Sequence, residues 1–133
     1  MVYNHAVRSL SPGMAARVAA IPPGGNVRNL PQHLLPARFQ TVGYFAKVRS
    51  GNSVYRRLTM DGTAPTLLSS LGDESALIHP ILNRCLTLRE RARLQTFPDG
   101  YEFRGPYGSI HRQIGNAVPV LLARQLAASL IDW

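Results

Sequence analysis

Cys85 is the only cysteine in this chain of 133 residues, and it sits in the run NRCLTLRERARLQTFPD, residues 83–99. A nucleophilic thiolate needs a lowered pKa and a nearby base. Arg84 and a helix expected just downstream would favour the thiolate, but no histidine or glutamate stands close in sequence to serve as its base. A buried or half-buried structural thiol is therefore expected. A lone cysteine also excludes a disulfide framework and a multi-cysteine zinc site. His5, His33, His79 and His111 show no metal-ligand spacing, so neither a metal site nor a catalytic residue is expected.

Two other patterns point to binding. Gly115-Asn116-Ala117-Val118 precedes an apolar run. With Asn116 as a helix cap, its backbone N–H groups would make a small anion-friendly site, although any helix needs a cap. The second pattern is charge. Fifteen basic residues, fourteen of them arginine, face seven acids, for a net charge of +8. Residues 1–60 hold eight of the basic residues and no acid, so the whole excess lies there. A one-sided excess is the footprint of a polyanion partner, and arginine forks onto phosphates and guanine edges as lysine cannot. Arg49, Arg56 and Arg57, followed by Arg28 and Lys47, are the candidate nucleic-acid contacts. A solvated basic face is the plainer reading of each.

Several elements must position these residues. Ser11 caps and Pro12 opens an expected helix with Met14, Val18 and Ile21 on one face, which Pro22-Pro23 ends. PPGGN (22–26) is a turn or loop. Residues 26–53 read as loops with short strands, including TVGYFAKV (41–48). SVYRRLTM (53–60) and APTLLSSL (64–71) read as short extended segments, separated by a turn at Asp61-Gly62. Thr87 and Glu90 form a capping box for the next helix, closed by Phe97-Pro98. DGYEFRGPYGS (99–109) is turn-rich. A last helix is expected from about Asn116, apolar nearly all round up to Arg124 and therefore buried against something. No run of about 18 apolar residues suggests a membrane span, and MVYNHAVRSL lacks the apolar core of a signal peptide.

LTLRERARLQTFPDGYEF (86–103) and RQIGNAVP (112–119), in this order and spacing, resemble the last two sequence blocks of bacterial cytosine-5 DNA methyltransferases. NHAVRSLSP, IPPGGNVRNLP, YRRLTMDGTAPTL and HPILNRCLTLRE are similar to the target-recognition part of that family. The resemblance implies an α+β chain: an irregular recognition region of short strands and loops, then a C-terminal helix that packs on a Rossmann-like catalytic domain. It implies a target-recognition domain over 1–104 and, over 105–133, a loop and helix belonging to the catalytic domain. Thr66 would touch the DNA backbone near a flipped cytosine. Arg89, Glu90, Arg93 and Gln113 would be structural. Gly115, Asn116, Ala117 and Val118 would line one wall of a pocket for S-adenosylmethionine; many relatives carry serine where Ala117 stands.

The family's glycine-rich cofactor loop, its Pro-Cys-Gln nucleophile and its Glu-Asn-Val do not occur among these residues. The resemblance therefore implies a C-terminal fragment or separate subunit, inactive alone, whose catalytic partner supplies them. Thiolate attack at ring carbon 6, methyl transfer to carbon 5 and proton loss would follow on double-stranded DNA, in bacterial cytoplasm at the nucleoid, with or without a paired restriction enzyme. A stand-alone DNA-binding module and a decayed remnant are the alternative expectations. A helix-turn-helix repressor fits less well, because residues 26–70 lack helical periodicity.

Overall fold

The computed structural model describes residues 2–40, 54–69 and 77–131, and the chain is α+β. It divides into two compact units. One comprises residues 7–65 and 72–86; the other joins residues 1–6, 66–71 and 87–133. Residues 87–104 fall in the same unit as the C-terminal helices.

The first unit opens with helix α1, Pro12–Ala20. Ser11 accepts a hydrogen bond from the Met14 amide and Pro12 occupies the first turn, as the sequence indicates. Pro22-Pro23-Gly24-Gly25 is then a tight turn closed by the Gly25 amide on the Pro22 carbonyl at 2.9 Å. Gly24 has φ +73°, the left-handed conformation that glycine enters cheaply. Three single 3₁₀ turns follow, Val27–Asn29, Gln32–Leu34 and Ala37–Phe39, where loops with strands were expected. Proline precedes the second and third, and Asn26 caps the first. These local hydrogen bonds outcompete pairing with a neighbouring strand. The strand expected at 41–48 lies outside the described residues.

Regular sheet is minimal. Strand β1 is only Arg56–Arg57, paired in parallel with β2, Leu77–Ile78. Residues 64–69 form no strand. Cys85 forms an antiparallel bridge with Ile78. Met14 and Val18 from α1 and Ile21 just after it meet Val27, Leu30, Phe39, Val54, Tyr55 and Ile78 in the core of this unit, with the half-buried Cys85 packed against it. Burying each large aliphatic side chain there stabilises by about 1.5–3 kcal/mol.

The second unit contains helices α2 (Leu88–Leu94), α3 (Tyr107–Asn116) and α4 (Val120–Ile131). Two corrections follow. Residues 107–109, expected in a turn, begin α3, which buries Ile110, His111 and Ile114 at three- and four-residue spacing. Asn116 ends α3 instead of capping α4, and the chain breaks over 117–119 before α4 begins. Helix α4 buries none of its residues; Leu130 and Ile131 are 77% and 83% exposed. Taken end to end, Tyr107–Ile131 is long and apolar enough to cross a membrane by length and composition alone, a property it shares with helices that bury a face in water-soluble folds.

Candidate functional site

The first unit places its neighbouring arginines very differently. Arg56 is half-buried and Arg57 is buried. The Arg57 guanidinium has five N–H donors, and all five are spent within the unit. Its Nε donates to the Ile21 carbonyl at 2.6 Å and its Nη2 to the Val18 carbonyl at 2.5 Å, so it caps the C-terminal end of α1. Its Nη1 reaches the carbonyls of His79 and Leu82 at 2.9 and 3.2 Å, and Nη2 also reaches Asn83 Oδ1 at 2.9 Å. Burial lowers its pKa from the ordinary arginine value. No donor remains for a phosphate, so Arg57, expected at the DNA, sits instead at the centre of its unit. Sequence reasoning missed this because YRRL reads as a basic run. Arg28 is exposed on the first 3₁₀ turn, and its amide donates to Asn26. Lys47 and Arg49 lie outside the described residues. In the other unit Thr66 is exposed and Leu67 buried.

The block at 86–103 is organised by reciprocal hydrogen bonds. Thr87 Oγ1 accepts from the Glu90 amide at 3.2 Å, and Glu90 Oε2 accepts from the Thr87 amide at 2.8 Å. This is the capping box expected from sequence. Arg89 is fully buried. It donates to the carbonyls of Tyr3 (2.8 Å) and Pro98 (2.9 Å), and to that of Tyr101, and lies over the Phe103 ring at 5.8 Å. Phe103 packs edge to face against Phe97 and Tyr101, which are tilted against each other at 48°. Asn4, in the left-handed region at φ 60°, pairs its side-chain amide with the Phe103 N–H and C=O, both at 3.1 Å. Arg93 is exposed and forks onto Asp99 at 2.7 and 2.8 Å. That pairing raises the Arg93 pKa and lowers that of Asp99.

The 117–119 break is held from the end of α2, by residues the sequence did not single out. Gln95, 8% exposed, donates from Nε2 to the carbonyls of Ile114 and Ala117, both at 3.0 Å. Its own carbonyl accepts from the Val120 amide at 3.2 Å, and Thr96 Oγ1 accepts from the Leu121 amide at 3.0 Å. Two adjacent residues thus satisfy carbonyls at the end of α3 and amides at the start of α4. Gly115 lets α3 approach the extended residues 68–69; a Cβ there would stand 2.6 Å from Ser69 Cα. Gln113 donates to the Arg104 carbonyl and to Ser109 Oγ, both at 3.2 Å, and so ties α3 to the segment before it.

At the stretch expected as an anion site, 115–118, the Ala117 amide is bonded to the Ile114 carbonyl, and the Val120 and Leu121 amides just beyond it are bonded to Gln95 and Thr96. The break also presents side chains: Asn116 is exposed and Val118 is 58% exposed, with Ala117 between them. His111 is buried beneath, with no hydrogen-bond partner for Nδ1 among the described residues. Burial first, then the neighbouring Arg91 charge, pushes its pKa down to about 4, against the opposing pull of a hydrogen bond to the Ser69 backbone.

The comparisons bear on the same two blocks. Residues 26–132 match the family described as C-5 cytosine-specific DNA methylase. The chain is 39% identical over 112 residues to the Type II methyltransferase M.PspPI of a Psychrobacter species, which covers 84% of this chain and 26% of that protein. It is 38% identical over 141 residues to the Type II methyltransferase M.DdeI of Desulfomicrobium norvegicum, covering 99% and 33% respectively. The DNA (cytosine-5)-methyltransferase CMT2 of Arabidopsis thaliana is 36% identical over 152 residues, covering 98% and 12%. The chain spans about a quarter to a third of the length of these bacterial relatives. A match running from the first 3₁₀ turn through the clamped helix break to the end of α4 places this chain in the C-5 cytosine-specific DNA methylase family.

Proposed function

We propose that this chain supplies the target-recognition and C-terminal share of a DNA cytosine-5 methyltransferase. The nucleophilic cysteine, the glutamate and the glycine-rich cofactor loop would come from other polypeptide, whether joined to this chain or separate. The observation that carries this reading is the helix break at 117–119, clamped by Gln95 and Thr96 in a chain of this family. S-adenosylmethionine supplies the methyl group when bound; Asn116, Ala117 and Val118 form one wall of its pocket, and Gly115 sets the close packing behind it. Arg28, Lys47, Arg49, Arg56 and Thr66 are the proposed contacts to double-stranded DNA, and Arg57 is reassigned to the scaffold. Residues Arg89, Glu90, Arg93 and Gln113 hold the block in shape. Helix α4, apolar and without a buried residue, is the surface that meets the Rossmann-like catalytic portion. The compartment proposed is bacterial cytoplasm, at the nucleoid.

The test is reconstitution. Joined to or mixed with a catalytic portion from a relative, the chain should restore cytosine methylation, read as protection from a methylation-sensitive endonuclease. Neither part should do so alone. Lack of methylation in every such assembly, with both parts folded, overturns the reading. The acid-free basic stretch over residues 1–60 favours a second reading, a DNA-binding module without enzymatic role. That reading keeps salt-dependent DNA binding, with a log–log slope of about −0.9 per phosphate neutralised, but gives no methyl transfer with any partner.

A further inference from the structure

We infer that Gln95 and Thr96 are positioning residues for the cofactor wall. They act through the helix break at 117–119 and touch no substrate themselves. This rests on the reading above and adds a role that the family match does not assign. The Gln95 side chain crosses the break on the α3 side and its carbonyl holds the α4 side, so a single residue fixes both edges of the gap carrying Asn116 and Val118. Thr96 provides the independent observation. It has φ 61°, a left-handed conformation that a β-branched residue adopts only under constraint. That backbone brings Oγ1 to the Leu121 amide at 3.0 Å. Glycine or asparagine would sit there with less strain, but glycine has no oxygen with which to cap α4. The strain is retained together with the cap, at the point where the break is fixed.

The experiment uses the assembly of this chain with a catalytic portion. Gln95→Leu, Thr96→Gly and Thr96→Asn are compared with wild type for S-adenosylmethionine Kd, KM and kcat, DNA affinity, thermal midpoint, and hydrogen exchange at the Val120 and Leu121 amides. Thr96→Gly relieves the left-handed strain, so its thermal midpoint should hold while Leu121 exchange accelerates. Its cofactor Kd and KM should rise about tenfold, with kcat and DNA affinity within about twofold. Gln95→Leu should shift the cofactor constants further and also accelerate exchange at Val120. Thr96→Asn, which keeps an acceptor and tolerates the backbone, should return most of the affinity. Unchanged Leu121 exchange in Thr96→Gly overturns the clamp. Faster exchange with unchanged cofactor constants overturns its positioning role, as does a parallel loss of DNA affinity and kcat. If the wild-type assembly binds the cofactor but does not methylate, the enzymatic reading fails while the Kd shifts still decide this inference. If it binds no cofactor, both fail.

Discussion

Each compact unit holds a buried arginine that bonds to several carbonyl oxygens, Arg57 in one and Arg89 in the other, where Arg91 is buried as well; neither Arg57 nor Arg89 has a carboxylate partner among the described residues. Arg57 spends all five donors, on the end of α1 and on the 79–83 turn. Arg89 spends three, on Tyr3, Pro98 and Tyr101, and lays its flat face on Phe103. The unit around Arg57 has two-residue strands and single 3₁₀ turns, so most of its carbonyls lack ladder partners and need a donor from elsewhere. The unit around Arg89 has three helices and an aromatic cluster, so Arg89 ties down only the N-terminal segment and one turn, while Arg91 donates to the Leu68 carbonyl at 3.0 Å. The less regular the backbone, the more of its polar accounting falls on one side chain.

The strongest way to break this comparison is to remove the two guanidiniums in turn. Arg57→Ala should cost on the order of 3–5 kcal/mol, because it strands several buried carbonyls at once. Arg89→Ala should cost less, since fewer acceptors lose their donor. Chemical denaturation measures both. Hydrogen exchange should show protection lost at Leu77 and Ile78 in the first variant, and at Ile110 and Ile114 in the second. Equal costs, or uniform loss of protection, would defeat the idea of two separately anchored units. Arg57→Lys should recover little, because a single ammonium cannot reach both α1 and the 79–83 turn.

Packing in the helical unit gives the next effect. A Cβ at Gly115 meets backbone atoms of Ser69, at 2.6 and 2.7 Å, and neither can move aside alone. Gly115→Ala should cost about 1–3 kcal/mol by overpacking, whereas Gly13→Ala, where a Cβ has open space in α1, should cost nothing measurable.

His111 sharpens the contrast through pH. Its folded pKa of about 4 lies below the ordinary 6.5, so the unfolded chain binds the proton more readily. The stability it allows is full above about pH 6.5 and falls as pH drops towards 4. The loss is about 1–2 kcal/mol after allowing for solvent screening. His111→Leu should flatten this part of the pH–stability curve. The same slope in wild type and variant would show that His111 is not the titrating group.

Local chemistry explains which parts were legible in the sequence. Ser11-Pro12 and the Thr87–Glu90 box announce helices because the cap and the amide it satisfies lie within three residues. The Pro22–Gly25 turn is readable for the same reason. Helix α3 was hidden by two glycines and a preceding proline, although Ile110 and Ile114 carry the spacing. Asn116 misled because Asn followed by Ala-Val-Pro resembles a helix start; the capping there is done by Gln95 and Thr96, some twenty residues earlier in the chain. Arg57 misled for a related reason. Nothing in YRRL distinguishes an arginine that faces solvent from one whose five acceptors come from residues 18–21 and 79–83.

The smallest effects test that distinction at adjacent positions. Arg56→Ala and Arg28→Ala should each change stability by no more than about 0.5 kcal/mol, as surface substitutions do. If each contacts one phosphate, each should weaken DNA binding evenly across sequences and make the salt slope shallower by about 0.9. A base contact would instead relax the preference at one position and cost about 1–3 kcal/mol there. Cys85→Ser is the matched control in the same unit. Its half-buried thiol packs on the core, so a small stability loss with unchanged DNA binding is expected. Should Arg56→Ala destabilise the unit as Arg57→Ala does, the two arginines would share the scaffold, and the DNA surface would have to be sought among Arg28, Lys47 and Arg49. Should it leave both stability and binding untouched, Arg56 would be a solvated surface charge. Only the combination of intact folding and a shallower salt slope makes Arg56 a binding residue beside a structural one.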